Sequence, residues 1–472
     1  MHPLAKLDRA FVWHPFTQMR DWMKREPIVI TSGRGAVLRD VHGREYLDAN
    51  ASIWTNLHGH QHPKINRAIQ RQLGKIAHSS ALGFANEPAS LLAAQLVKLA
   101  TLRSQPDKQP APIHNPKLAK VFFSDNGSTA TEVALKLAYE CARRAGTRTP
   151  RFLSLEGAYH GDTVGAVSLG HIDLFHKAYA GLLFKTDHVM APYCYRCPFN
   201  RAKPERADAR DYRQCRMECL DKVEQKLAAQ KKQHGAAYAG FVFEPLLQGA
   251  AGVIAQPKGW LREAAARARA HGALLIADEV MTGFGRTGTR FACHQEGVQP
   301  DFLCLAKGLT GGYLPMAATL TTNAVFNAFL GEYEEFKTFF HGHSFTGNQL
   351  GSAAALASLE ILESPTTHRA QKTLETTLRS ALQGLWELPQ VGDMRQVGLV
   401  AGIELVRDWH KRQPFDLRER AGIRVCEAMA RRGVLTRPVG NVIMLMPPYC
   451  TTPAQVRKIV QTLYDAVREV LR

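Results

Sequence analysis

Leu303-Cys304-Leu305-Ala306-Lys307-Gly308-Leu309-Thr310-Gly311-Gly312 sets a lysine at the end of an apolar strand and follows it with a glycine-rich turn. An ammonium there is costly unless a partner or a chemical task keeps it. One such task is imine formation with an aldehyde, because a desolvated lysine gives up its proton and becomes a nucleophile. A strand that simply ends at the surface, with Lys307 reaching water, accounts for the same residues. The neighbouring stretches have to decide.

Upstream, apolar runs keep ending in polar chemistry. Val121-Phe122-Phe123 leads through Ser124-Asp125-Asn126 to Gly127-Ser128-Thr129, where Ala130, Val133, Ala134, Leu137 and Ala138 begin the stripe of a helix on a sheet. A helix that opens directly after a strand offers backbone N–H groups to a phosphate. An N-cap by Ser128 or Thr129 explains the same residues without a ligand. Phe152-Leu153-Ser154-Leu155 runs to Tyr159, Phe241-Val242-Phe243 to Glu244-Pro245, and Ala273-Leu274-Leu275-Ile276-Ala277 to Asp278-Glu279. Helical patterns fall between them, at about 217–233 and 258–271. Repeated strand–helix pairs with near-continuous apolar strands predict an α/β fold with a mostly parallel sheet covered on both faces. Beyond about residue 346, long helical patterns and short strands predict a smaller α+β unit. Ligands of open α/β sheets bind beyond the carboxyl ends of the strands. Asp278 and Lys307 at two such ends match what pyridoxal phosphate requires, a carboxylate for the pyridine nitrogen and an amine for the aldehyde. Gly127 and Ser128 then suit the phosphate, and Tyr159 the face of the ring.

Asp278-Glu279, the run Thr282-Gly283-Phe284-Gly285-Arg286-Thr287-Gly288 and Ala306-Lys307-Gly308 together resemble the class III pyridoxal-phosphate aminotransferases. Trp13-His14-Pro15, His58-Gly59-His60, Tyr159-His160-Gly161-Asp162-Thr163, His341-Gly342-His343-Ser344-Phe345-Thr346-Gly347-Asn348 and Thr436-Arg437-Pro438 narrow the likeness. They are similar to the branch that aminates 8-amino-7-oxononanoate in biotin synthesis, over nearly the whole chain. The resemblance implies a fold-type I PLP-dependent transferase. Residues 1–60 would join a small domain, 61–345 form the large cofactor-binding domain, and 346–472 form the α+β small domain.

The same resemblance implies site roles. Lys307 would join the pyridoxal 5'-phosphate, Asp278 would meet its ring nitrogen, Gly127 and Ser128 its phosphate, and Tyr159 its ring. His343 and Ser344 would reach the phosphate of a second subunit, which implies a homodimer. Phe16, Ile53, Trp54, Tyr159, Arg286 and Gly342 would border the substrate, and Arg437 would clamp the oxononanoate carboxylate. Branch members that use adenosylmethionine carry tyrosine where Phe16 stands and a tryptophan pair where Ile53-Trp54 stands. At those positions this sequence is closer to members that take lysine as amino donor. Another class III ω-amino-acid or diamine aminotransferase is the alternative, and a non-enzymatic basic binding protein is the reading from another class.

Other signals fall away. Gly283 to Gly288 is a literal G-x-G-x-x-G, but residues 289–301 are too short and too broken by Gly297 and Pro300 for a dinucleotide crossover. His58, His60 and His62 alternate within a glycine- and proline-flanked stretch that reads as a loop rather than a metal site. Nine cysteines in a chain of cytosolic character read as thiols. Cys194, Cys197, Cys215 and Cys219 nevertheless have the spacing of a tetrathiolate centre, set against four reduced thiols in a surface excursion. The formal charge of +18 is spread along the 472 residues with no nucleic-acid module beside it, so a solvated basic surface is expected. Lys6, Asp8 and Arg9 interrupt any secretory apolar region, and no apolar run approaches the roughly 20 residues of a membrane span. The expected setting is cytoplasmic, with small-molecule substrates and neither nucleic acid nor membrane as partner.

Overall fold

The computed structural model describes residues 1–101 and 116–471. Between Ser104 and Lys117 the sequence is rich in Pro, Asn and Gln, which predicts a loop or insertion; up to position 115 this stretch lies outside the described residues. Seven strands form the main sheet: β1 (Leu118–Ser124), β2 (Phe152–Leu155), β3 (Asp187–Val189), β4 (Gly240–Phe243), β5 (Leu274–Asp278), β6 (Phe302–Leu305) and β7 (Ala317–Thr322). Their spatial order is β1-β7-β6-β5-β4-β2-β3. From β6 to β3 every pairing is parallel, while β7 runs antiparallel to both β6 and β1. The mostly parallel α/β sheet expected from the sequence is therefore present.

Residue chemistry explains which strands were legible. β2, β4 and β6 are buried at every position, as aliphatic and aromatic strands covered on both faces must be. β7 reads Ala-Ala-Thr-Leu-Thr-Thr and carries no such run, yet it is equally buried. Its Thr319 and Thr321 hydroxyls donate to the carbonyl oxygens of Ala130 (2.8 Å) and Asp301 (3.1 Å), which offsets their desolvation. Helix α1 (Gly127–Arg144) lies on the sheet with Ala130, Val133, Ala134, Leu137 and Ala138 buried, the stripe its periodicity predicts.

The C-terminal part builds a second sheet from Val391–Val397, Val400–Asp408 and Val442–Leu445, accompanied by the helices Pro365–Leu382, Ala421–Arg431 and Pro453–Val470. The N-terminal hairpin strands Ile30–Arg34, Val37–Asp40 and Glu45–Asp48 attach to it, because Val434–Leu435 pairs in parallel with the last of them. One buried cation ties this sheet to the main one. Arg395 donates to Asp393 (2.7 Å) and Glu404 (2.6 Å), and to the carbonyl oxygens of Gly252 (2.7 Å) and Val253 (2.8 Å) in the loop beyond β4. A buried charge persists only with pairing this complete.

In the histidine-rich loop His58 and His62 meet edge-on at 6.1 Å between ring centroids. His58 bonds Ser358 Oγ at 3.1 Å, and burial holds its pKa down at about 3. His60 is held between Asn56 (2.8 Å) and Asp48 (3.1 Å). Among the described residues no three histidine, cysteine or carboxylate side chains are arranged to hold a metal. Cys194, Cys197, Cys215 and Cys219 are free thiols, and they lie near enough to one another that a thiolate on one disfavours a thiolate on the next. Burial pushes the Cys194 thiol up to about 12 and that of Cys219 to about 11, which keeps both protonated and packed as small apolar groups. No helix among the described residues is long and apolar enough to cross a membrane.

Candidate active site

The strand ends that carry β2, β4, β5 and β6 toward polar residues converge on one cavity of about 430 Å³. Lys307 follows the end of β6 with one residue, Ala306, between, at a φ of 35°. A non-glycine residue in left-handed backbone is held there by its surroundings. The Lys307 Nζ lies 4.6 Å from the Trp54 ring centroid. Burial lowers its pKa, while the carboxylates of Asp278, Glu244 and Asp162 oppose the shift. The net effect is an amine that releases its proton more readily than an exposed lysine.

Asp278 closes β5 and is braced on both oxygens. One stands 2.8 Å from His160 Nδ1, and the other accepts the Val280 N–H at 3.0 Å. Tyr159 brings its ring to the cavity from the loop after β2; its hydroxyl donates to Asp162 at 2.8 Å and its backbone N–H to Glu244 at 3.3 Å.

The opening of α1 is prepared for an anion. Asn126 accepts the Thr129 N–H at 3.1 Å, and Thr129 Oγ1 accepts the Asn126 N–H at 3.0 Å, closing a capping box. That leaves Gly127 and Ser128, both on the cavity wall, with first-turn N–H groups that have no intrahelical acceptor. The helix dipole favours negative charge at this end. A Cβ on Gly127 would stand 2.6 Å from Val280 Cγ1, so the approach of α1 to the loop after β5 requires glycine.

Trp54 reaches Lys307 through strained backbone. Ala51, Ser52, Ile53 and Trp54 have φ values of 44°, 47°, 62° and 71°. Asp48 holds this left-handed turn, accepting the Ser52 N–H (3.0 Å), the Ser52 hydroxyl (2.8 Å) and His60 Nε2 (3.1 Å). Burial alone would raise the Asp48 carboxyl; these hydrogen bonds outweigh it and hold the group below its ordinary value.

Not every expected residue arrives. Arg286 is a correction: it does not border the cavity but is fully buried beneath it. Its guanidinium donates to the carbonyl oxygens of Pro447 (2.8 Å) and Asn56 (3.2 Å) and lies 4.9 Å over the Tyr449 ring. The glycine-rich turn that carries it folds inward, so Arg286 joins chain segments instead of meeting solvent. Phe16, Ile53, Gly342, Ser344 and Arg437 are exposed and lie outside the cavity wall of this chain. Phe16 is linked to the site edge-on, through Phe175 (5.2 Å) and from Phe175 to Tyr159 (6.4 Å). His343 stands with Nδ1 3.4 Å from Asp125, which does line the cavity. His160, Glu244 and the wall from Gly312 to Met316 went unassigned in the sequence. Glu244 closes β4 as Asp278 closes β5, so the strand-end rule reaches it too; the Tyr313-Leu314-Pro315-Met316 wall carries no local signal.

Residues 19–467 match the aminotransferase class-III family. The chain belongs to the class III aminotransferases. The adenosylmethionine-8-amino-7-oxononanoate aminotransferase of Geobacter sulfurreducens is 47% identical over 99% of this chain and 98% of its own length. Its counterpart in Nitratidesulfovibrio vulgaris is 48% identical over 98% of this chain and 81% of its own. The crystal structure of the enzyme of that name from Methanocaldococcus jannaschii, 39% identical, covers 99% of both chains with a TM-score of 0.88. An ω-transaminase of Pseudomonas jessenii in complex with PMP covers 99% of both chains at 28% identity and a TM-score of 0.88. This class III aminotransferase uses pyridoxal 5'-phosphate, and the cavity fits it: an amine, a braced carboxylate and a glycine-lined helix end face one space.

A Gly127→Ala substitution tests the helix-end cradle. Overpacking against Val280 costs on the order of 1–3 kcal/mol, so cofactor affinity is expected to fall about tenfold or more. Adding Val280→Ala in the same chain is expected to restore most of it. Equilibrium dialysis followed by the cofactor's absorption reads both, and an unchanged affinity in G127A contradicts the cradle.

Proposed function

We propose that the enzyme aminates 8-amino-7-oxononanoate to 7,8-diaminononanoate for biotin synthesis. Full-length similarity to relatives named for this acceptor, up to 48% identity, is the observation that carries the reading. When bound, pyridoxal phosphate supplies an electron-withdrawing ring that accepts charge from the reacting carbon. The chain's own groups do the remainder. Asp278, braced by His160 and the Val280 N–H, keeps a proton on the ring nitrogen, and the N–H groups of Gly127 and Ser128 bind the phosphate. Tyr159 supports the ring. Lys307 Nζ takes the proton from the donor's reacting carbon and later returns one, a role suited to an amine that burial makes easy to deprotonate. Trp54, over that amine, keeps water away from it. Arg437, with its exposed guanidinium, holds the acceptor carboxylate, while Ile53, Trp54 and Gly342 border the substrate.

Adenosylmethionine is the proposed amino donor, after the relatives' names. Phe16 and Ile53 favour lysine as a second reading. Phe16 lacks a phenol hydroxyl at a position coupled through Phe175 to Tyr159, and Ile53 offers no second aromatic wall.

A cytoplasmic, two-fold homodimer is part of the proposal. Leu82, Phe84, Phe340 and Phe345 are exposed on adjoining loops that Asn86 joins through a 3.0 Å bond to the Gly347 carbonyl. Apolar exposure of this kind marks an interaction surface. In the dimer, His343 and Ser344 of one subunit complete the phosphate site of the other.

A half-reaction screen checks the chemistry. Adenosylmethionine or lysine is expected to bleach the yellow band of the loaded enzyme, and Lys307→Ala to lack that band. Bleaching by β-alanine or simple ω-amines alone would instead point to the ω-amino-acid class. Arg437→Ala is expected to raise KM for 8-amino-7-oxononanoate by about 10- to 100-fold with kcat little changed, the worth of a charge-assisted pair. Equal KM values would remove Arg437 from the acceptor site. Light scattering is expected to give twice the chain mass, and Ser344→Ala to weaken cofactor retention; a monomer that retains cofactor fully contradicts the shared site.

A further inference from the structure

Glu244 is a cavity carboxyl to which the chemistry above gives no task. It closes β4, is buried, and lines the same cavity as Lys307. The backbone N–H groups of Tyr159 (3.3 Å) and Gly249 (2.8 Å) pin its two oxygens. The other cavity carboxylates have imidazole partners, Asp278 with His160 and Asp125 with His343. No imidazole, lysine or arginine stands within ion-pair distance of Glu244 among the described residues. Burial makes this carboxyl expensive to ionise and the two amide N–H bonds offset that only in part, so its proton comes and goes near neutrality.

The groups that face it come from each neighbouring strand end: Tyr159, His160 and Asp162 after β2, Asp278 on β5 and Lys307 after β6. Burial, with Asp278 adding to it and His160 opposing, pushes the Glu244 carboxyl up to about 7. In the other direction, the Glu244 charge acts with those of Asp278 and Asp162 to favour the ammonium form of Lys307. We propose that Glu244 is a positioning residue that sets the proton affinity of Lys307 by gaining and losing charge across the shared cavity.

The consequence is a coupled pair. With Glu244 ionised, Lys307 keeps its proton and is a poor nucleophile. With the proton on Glu244, the Lys307 amine is free, and the cavity has the same net charge in both arrangements. The carboxyl therefore acts on the reaction through the lysine and touches no reacting atom. This holds whichever amine serves as donor.

The test follows the lysine rather than turnover. In the loaded enzyme, the pH midpoint of the yellow band is expected to fall by about half a unit or more in Glu244→Gln, where one unit is a tenfold change in free amine. Glu244→Asp, which keeps the charge, is expected to stay near the wild type. In the full chain without cofactor, the pH profile of Lys307 arylation by a small reagent, read by peptide mass spectrometry, is expected to move the same way. Unmoved midpoints in E244Q, or equal shifts in E244Q and E244D, overturn the proposal. Should E244Q fail to fold, the wild-type arylation profile decides: two ionisations support the pair, and a single-ionisation curve overturns it. The arylation profile needs neither donor nor acceptor, so its failure is separable from a failed half-reaction screen.

Discussion

Placing an amine at the buried end of β6 creates a charge problem, and the site is arranged around its solution. Water would solvate an ammonium well; the cavity does not, and three carboxylates oppose the loss. Burial prevails over them, which leaves Lys307 more ready to part with its proton than a surface lysine. The carboxylates are not interchangeable. Asp278 has an imidazole and a backbone N–H on its oxygens. Glu244 has only amides and lies close to the point of losing its charge. Two acids at the ends of adjacent parallel strands thus have different partners.

That electrostatic arrangement depends on structure well away from it. The left-handed turn that sets Trp54 over Lys307 is unfavourable backbone for alanine, serine, isoleucine and tryptophan alike. Asp48 sustains it with four hydrogen bonds, and His60, which supplies one of them, is itself held by Asn56. Asn56 also lends its carbonyl oxygen to Arg286, so the buried guanidinium beneath the cavity and the turn above it share a residue. Arg395 plays the corresponding part on the other side. By bonding the Gly252 and Val253 carbonyl oxygens it fixes the loop that begins at Glu244 to the C-terminal sheet.

Legibility in the sequence followed burial and periodicity. The aliphatic and aromatic strands β2, β4, β5 and β6 announce themselves, and with them the positions of Tyr159, Asp278 and Lys307 at their ends. The threonine-rich β7 does not, because its burial depends on carbonyl partners contributed by α1 and by the residue before β6. The spacing of Cys194, Cys197, Cys215 and Cys219 is a one-dimensional fact, and only the fold shows that these free thiols share one neighbourhood. Arg286 shows the same limit: an arginine beside three glycines suits a ligand site, and only packing reveals that it turns inward to two carbonyl oxygens.

By itself, then, the sequence determined a parallel α/β sheet, a lysine and an aspartate at its carboxyl edge, and a glycine-opened helix beside them, since each is written in a local pattern of apolar runs and their polar ends. The tertiary structure alone decided how those ends meet. It paired His160 with Asp278 across 118 positions of chain, stacked Trp54 over Lys307, and left Glu244 inside the cavity with no ion-pair contact among the described residues. Distances between segments far apart in the chain come from packing, and the proton affinities of the site depend on those distances.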